Sequence, residues 1–117
     1  MQIELREIFG VANLSREISL DEEMIKLKSR GDIKNERRIR PSELEDVTTL
    51  VKKLVELNPR QFYGGATILP SDPNRRTLII NFESEIIINM QVISDPTDLP
   101  PSEFTELTLL LSRIVAQ

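Results

Sequence analysis

The densest concentration of side chains able to do chemistry lies in the middle of the chain. Residues 26–60 carry ten basic and six acidic groups, a net +4, between segments 1–25 and 61–117 that each carry −4. Over its first part, residues 26–40, Lys26, Lys28, Arg30, Lys34, Arg37, Arg38 and Arg40 oppose only Asp32 and Glu36. Guanidinium and ammonium groups on a polar stretch can reach phosphates or carboxylates without helical constraint. Lys34, Arg37, Arg38 and Arg40 are therefore candidate partner- or anion-binding residues. Arg60 and Tyr63 join them if the intervening helix folds back, with Phe62 and Tyr63 offering a stacking surface. Asp32 and Glu36 interrupt the patch, aromatics are few and the net charge is −4. A protein or anionic-ligand contact is favoured over nucleic acid on that balance.

The remaining constellations carry less. The chain has no histidine and no cysteine. That removes Ser-His-Asp, Cys-His and His-carboxylate chemistry, thiolate metal sites and disulfides. Gly64-Gly65 lacks the spacing and helix-opening position of a phosphate loop and reads as a tight turn. Glu83 and Glu85 are paired carboxylates on an expected hairpin tip, where they are hydrated. Asp72, Asp95 and Asp98 show no EF-hand spacing. We expect no catalytic residues, no metal, no cofactor and no enzymatic activity.

The stretch TLIINFESEIIINMQVI, residues 77–93, is the element around which the rest is organised. Leu78, Ile80 and Phe82 alternate on one arm, and Ile86, Ile88, Met90 and Val92 on the other. Only a loop with an odd number of residues puts both sets on one face of an antiparallel hairpin. A Glu83-Ser84-Glu85 loop, pairing Phe82 with Ile86, Ile80 with Ile88 and Leu78 with Met90, meets that demand. The other face carries polar residues together with Ile79, Ile87 and Ile93, which are candidate self-association residues.

Two amphipathic helices complete the frame. The first is expected from about Pro41 to Leu57, opened by Ser42-x-x-Glu45 as a capping box and stopped by Asn58-Pro59. Leu44, Val47, Leu50, Val51, Leu54 and Val55 form its stripe. The second is expected from about Pro101 to Val115, with Phe104, Leu107, Leu110, Leu111, Ile114 and Val115 inward. Leu109 points the opposite way, a further candidate for self-association. A strand is expected within residues 2–12, a short one at Ala66–Leu69, and a polar loop at Gly31–Arg40. Residues 17–30 fit a helix or a hairpin.

An internal echo favours the hairpin. PSELEDVTTLVKKLV at 41–55 aligns without gaps on PSEFTELTLLLSRIV at 101–115. Upstream, MIKLKSRGD lies loosely over IINMQVISD, and FGVANL over YGGATI. The chain then reads as a duplicated strand–hairpin–helix unit. The expected fold is one α+β domain over residues 1–117, an antiparallel sheet of about 4–6 strands with both helices on one face. No apolar run spans a bilayer and the start lacks a secretory pattern, so a cytoplasmic protein with no membrane partner is expected. The functional expectation is a protein-interaction module (an adaptor or a regulatory, accessory or inhibitory subunit) able to form a homodimer. The alternative is a nucleic-acid-binding module using residues 26–40.

Overall fold

The computed structural model describes residues 1–9, 14–64, 74–91 and 98–117. They form β1 (Gln2–Ile8), β2 (Ser15–Leu20), β3 (Met24–Ser29), β4 (Asp32–Arg38), α1 (Pro41–Glu56), β5 (Phe62–Tyr63), β6 (Arg75–Phe82), β7 (Ser84–Gln91) and α2 (Ser102–Val115). One sheet holds all of the described strands, in the order β4-β3-β2-β1-β6-β7-β5. Every neighbouring pair is antiparallel except β5 and β7. The α+β class and the two helices agree with expectation. The sheet is larger than expected, at seven strands rather than 4–6, and mixed rather than wholly antiparallel.

Period-two patterning explains how the sheet is built. On the helix-facing side three rows cross it from strand to strand. One runs Arg37–Ile25–Leu20–Ile3–Ile80–Ile86, the next Asn35–Leu27–Ile18–Leu5–Leu78–Ile88. The apolar members of both rows are buried or pack against the core. Val47, Val51 and Leu54 of α1, and Phe104, Leu107, Leu111 and Ile114 of α2, close over them. A one-residue slip of any strand would turn its whole apolar set to the other face.

The third row is polar where the others are apolar: Arg16–Glu7–Arg76, continuing to Met90 and Tyr63. The Glu7 side chain is 1 % exposed. One of its oxygens accepts from Arg16 Nε at 2.8 Å and from Arg16 Nη2, the other from Arg76 Nε at 2.8 Å. Arg16 also donates to Ser112 of α2 at 3.3 Å. A carboxylate taken out of water is tolerable only when both oxygens are so engaged.

The hairpin favoured for residues 17–30 is present as β2–β3, its turn held by Asp21 accepting from the amides of Glu23 and Met24, both at 2.8 Å. Those bonds, Met24 first, hold the Asp21 carboxyl below its ordinary value. Gly31–Arg40 is not a loop. Arg30 and Gly31, at φ 54° and 85°, make a two-residue turn into β4. Two successive positive φ values are the type I′ pattern that matches strand twist. The strand was hidden because Asp, Lys, Asn, Glu and Arg are poor strand formers. At a sheet edge such charges, and the irregularity between Leu27 and Lys28, guard against stray pairing.

The hairpin register is also two residues from expectation: Ile80 pairs Ile86, Leu78 pairs Ile88 and Arg76 pairs Met90. The turn centres on Glu83, at φ 64°, not on Ser84. A shift of two preserves the face, so pattern alone could not separate the registers. The first helix is capped by Glu43, whose carboxylate accepts from the Arg40 amide at 2.9 Å, not by Ser42. Asn58, at φ 48°, stops it before Pro59.

The helix echo holds position by position: buried Val47, Val51 and Leu54 correspond to buried Leu107, Leu111 and Ile114. Among the described residues the strands do not repeat. A four-stranded meander precedes α1, whereas β7 before α2 is flanked by a parallel β5. The expected Ala66–Leu69 strand lies outside the described residues.

Candidate interaction surfaces

The basic stretch is divided by strand geometry. Alternation along β4 sends Asn35 and Arg37 to the helix side, and Glu36 and Arg38 to the other. Arg37 binds Glu43 through Nη1 at 3.0 Å and Nη2 at 2.5 Å, and donates from Nε to the Ile114 carbonyl at 3.0 Å. Asn35 donates to the Val115 carbonyl. Together they satisfy carbonyls in the last turn of α2, which have no partner within the helix. Hydrogen bonding from Arg37, then from the Arg40 amide, holds the Glu43 carboxyl below its ordinary value. Arg37 thus joins the start of α1 to the end of α2. Lys34, Arg38 and Arg40 are exposed.

Arg60 and Tyr63 do not join them, because β4 and β5 are the two opposite edges of the sheet. The Arg60 guanidinium lies 4.5 Å from the Tyr63 ring centroid, and its amide donates to the Tyr63 hydroxyl at 2.8 Å. Asp98, two residues from the prolines that lead into α2, accepts from Arg60 and from the Gly64 amide, the latter at 2.9 Å. These two bonds, Arg60 first, hold its carboxyl below the ordinary range. The end of α1, β5 and the approach to α2 are therefore tied together.

The face of the sheet opposite the helices has no element over it among the described residues. Its β1–β4 half is a lattice of alternating charge: Glu36, Lys26, Lys28, Glu17, Glu4 and Arg6. Lys26–Glu36 and Glu4–Arg6 are ion pairs at 3.9 and 2.9 Å, both exposed and worth little. Its β6–β7–β5 half is different. Ile79 pairs Ile87, Thr77 pairs Asn89, and Asn89 in turn pairs Phe62. The expected self-association residues are split by this arrangement. Ile79 and Ile87 sit here, Leu109 lies on α2 across the molecule, and Ile93 is outside the described residues.

A pocket of about 400 Å³ opens beside that second half, lined by Phe62, Tyr63, Arg75, Asn89, Gln91 and Asp98, among others. Phe62 is 65 % exposed. Thr77 donates to the Asn89 side chain at 2.8 Å, which donates on to the Gln61 carbonyl at 3.3 Å, so the floor is fixed. Arg75 has no ion-pair partner among the described residues. Sequence reasoning missed Arg75, the first residue of β6. Its signal was the alternation Arg75-x-Thr77-x-Ile79, which assigns it to the helix-free face.

A second groove, about 460 Å³, runs between α1 and α2. Among the described residues no group of His, Cys, Asp or Glu is placed to hold a metal ion, and no helix is long and apolar enough to cross a membrane. No family model matches this chain, and no curated protein is significantly similar to it.

Proposed function

We propose that the chain is a protein-interaction module, an adaptor or a regulatory, accessory or inhibitory subunit, that holds an extended segment of a protein partner against the β5–β7 side of its helix-free face. The observation that carries this reading is the pairing, in one pocket, of a cation without a described partner, Arg75, with an exposed aromatic ring, Phe62. A carboxylate on the partner would make charge-assisted bonds to Arg75, and an apolar neighbour would cover Phe62. The edge of β7 supports an extended occupant. β5 pairs only with Asn89 and Met90, which leaves the outer edge of Ser84–Ile88 open among the described residues. An added strand can use such an edge through main-chain hydrogen bonds.

The nucleic-acid alternative draws on the exposed members of the basic stretch, Lys34, Arg38 and Arg40. Their acidic neighbours and the engagement of Arg37 in the fold make it the weaker reading. Selection from a displayed random peptide library tests the proposal. Enriched peptides are expected to place an acidic residue beside an apolar one and to lose binding to the Arg75→Glu variant. No enrichment, or peptides that bind wild type and Arg75→Glu equally, overturns it.

A further inference from the structure

The groove between α1 and α2 has a symmetry of charge. The two helices are antiparallel neighbours. Arg37 touches Glu43 near the start of α1 and the Ile114 carbonyl near the end of α2, and Arg60–Asp98 joins the opposite ends. At the end where α1 starts and α2 finishes, the groove carries Asp46 and Arg113. At the other end it carries Lys53 and Glu106, with Leu50 and Leu109 between. Leu109 is 62 % exposed. None of these four charged side chains makes an ion pair with a described residue.

We infer that this helix face is a homodimer surface, its occupant a second copy of the same groove. Self-complementarity carries the argument. A closed dimer brings the same patch together twice about a two-fold axis. With the axis in the helix layer and along the groove, Asp46 faces Arg113 of the other copy and Lys53 faces Glu106. With the axis across the groove, Asp46 faces Lys53 and Glu106 faces Arg113. Acid meets base in either case, and Leu109 is covered in both. The gapless match between the helices is what produces the pattern, since Asp46 and Glu106 are equivalent positions, as are Lys53 and Arg113.

Size sets the strength. Helices of 16 and 14 residues present a face of roughly 24 by 20 Å. That is about 500 Å² per copy in projection, near the lower limit for a specific interface. The dimer is accordingly a micromolar one, a four-helix layer between two outward sheets. This surface lies on the opposite side of the sheet from the peptide pocket, so the two readings stand or fall separately.

The test is sedimentation equilibrium of the full chain up to about 1 mM. Wild type is expected to dimerise with a dissociation constant of about 10–100 μM, and Leu109→Glu to weaken it at least tenfold without loss of helical circular dichroism. A variant with Asp46→Lys and Glu106→Lys, and another with Lys53→Glu and Arg113→Glu, should each be monomeric alone. Mixed, they should associate at least as tightly as wild type. A monomeric wild type at 1 mM overturns the inference. So does a dimer indifferent to Leu109→Glu and to both charge reversals, or a mixture that fails to associate.

Discussion

Replacing Glu7 by leucine should be strongly destabilising although it puts an apolar residue in a buried place. The Glu7 side chain is 1 % exposed, and those of Arg16 and Arg76 are 34 % and 21 % exposed. Removing one partner of a buried ion pair costs about 3–5 kcal/mol, because the remaining charge is stranded. Here two guanidiniums are stranded, but both retain some contact with water, which lowers the cost. A loss of about 3 kcal/mol follows. For a chain of this length that is about 2 M in urea midpoint and about 10–15 °C in melting temperature. With no tryptophan and one tyrosine, far-ultraviolet circular dichroism is the probe to use. The triple change Glu7→Leu, Arg16→Met, Arg76→Leu removes all three charges and should recover to within about 1 kcal/mol of wild type. A single-variant shift below about 0.5 M urea would refute the reasoning. A triple variant no better than Glu7→Leu would refute it too, since lost packing rather than stranded charge would then be the cause.

Other consequences are as specific. Arg37→Met should cost about 2 kcal/mol, since charge-assisted bonds to Glu43 and to the end of α2 are lost together. Its effect should depend on pH. The folded-state pKa of Glu43 lies below its ordinary 4.5, so the pair's contribution is complete above about pH 5 and fades as pH falls through the folded value. The stability difference between Arg37→Met and wild type, measured by urea titration, should therefore shrink toward pH 3; a constant difference would deny the coupling. Gly31→Val, at φ 85°, should cost about 1–3 kcal/mol through backbone strain alone, as nothing crowds the added side chain. Equal midpoints in urea would contradict that.

Much of the frame was legible because burial imposes a period. The stripes of α1 and α2 and the alternation of Leu78, Ile80, Ile86 and Ile88 report which faces meet the core. The Glu7 cluster was legible in the same way and went unread. Ile3-x-Leu5-x-Glu7, Arg16-x-Ile18-x-Leu20 and Arg76-x-Leu78-x-Ile80 each place one ionisable side chain on an otherwise apolar face. Opposite charges recurring at the buried phase of three strands are a pairing signal. β4 was hidden for the converse reason: an edge strand is selected for charge, so its composition imitates a loop. The pocket was least visible. It assembles from β5, β6, β7 and Asp98, and strand order is not written in local pattern. Knowing that β4 and β5 occupy opposite edges is what separates Arg60 and Tyr63 from the basic stretch.

The most direct test of the interaction reading is a nuclease-treated native pull-down comparing three forms of the chain. They are wild type, Phe62→Ala with Arg75→Glu, and Lys34→Glu with Arg38→Glu, matched beforehand for thermal stability. A stoichiometric protein should be retained by wild type and by the Lys34/Arg38 variant and lost from the Phe62/Arg75 variant. Retention by the Phe62/Arg75 variant, or binding that disappears with nuclease and with Lys34→Glu and Arg38→Glu, would contradict that reading.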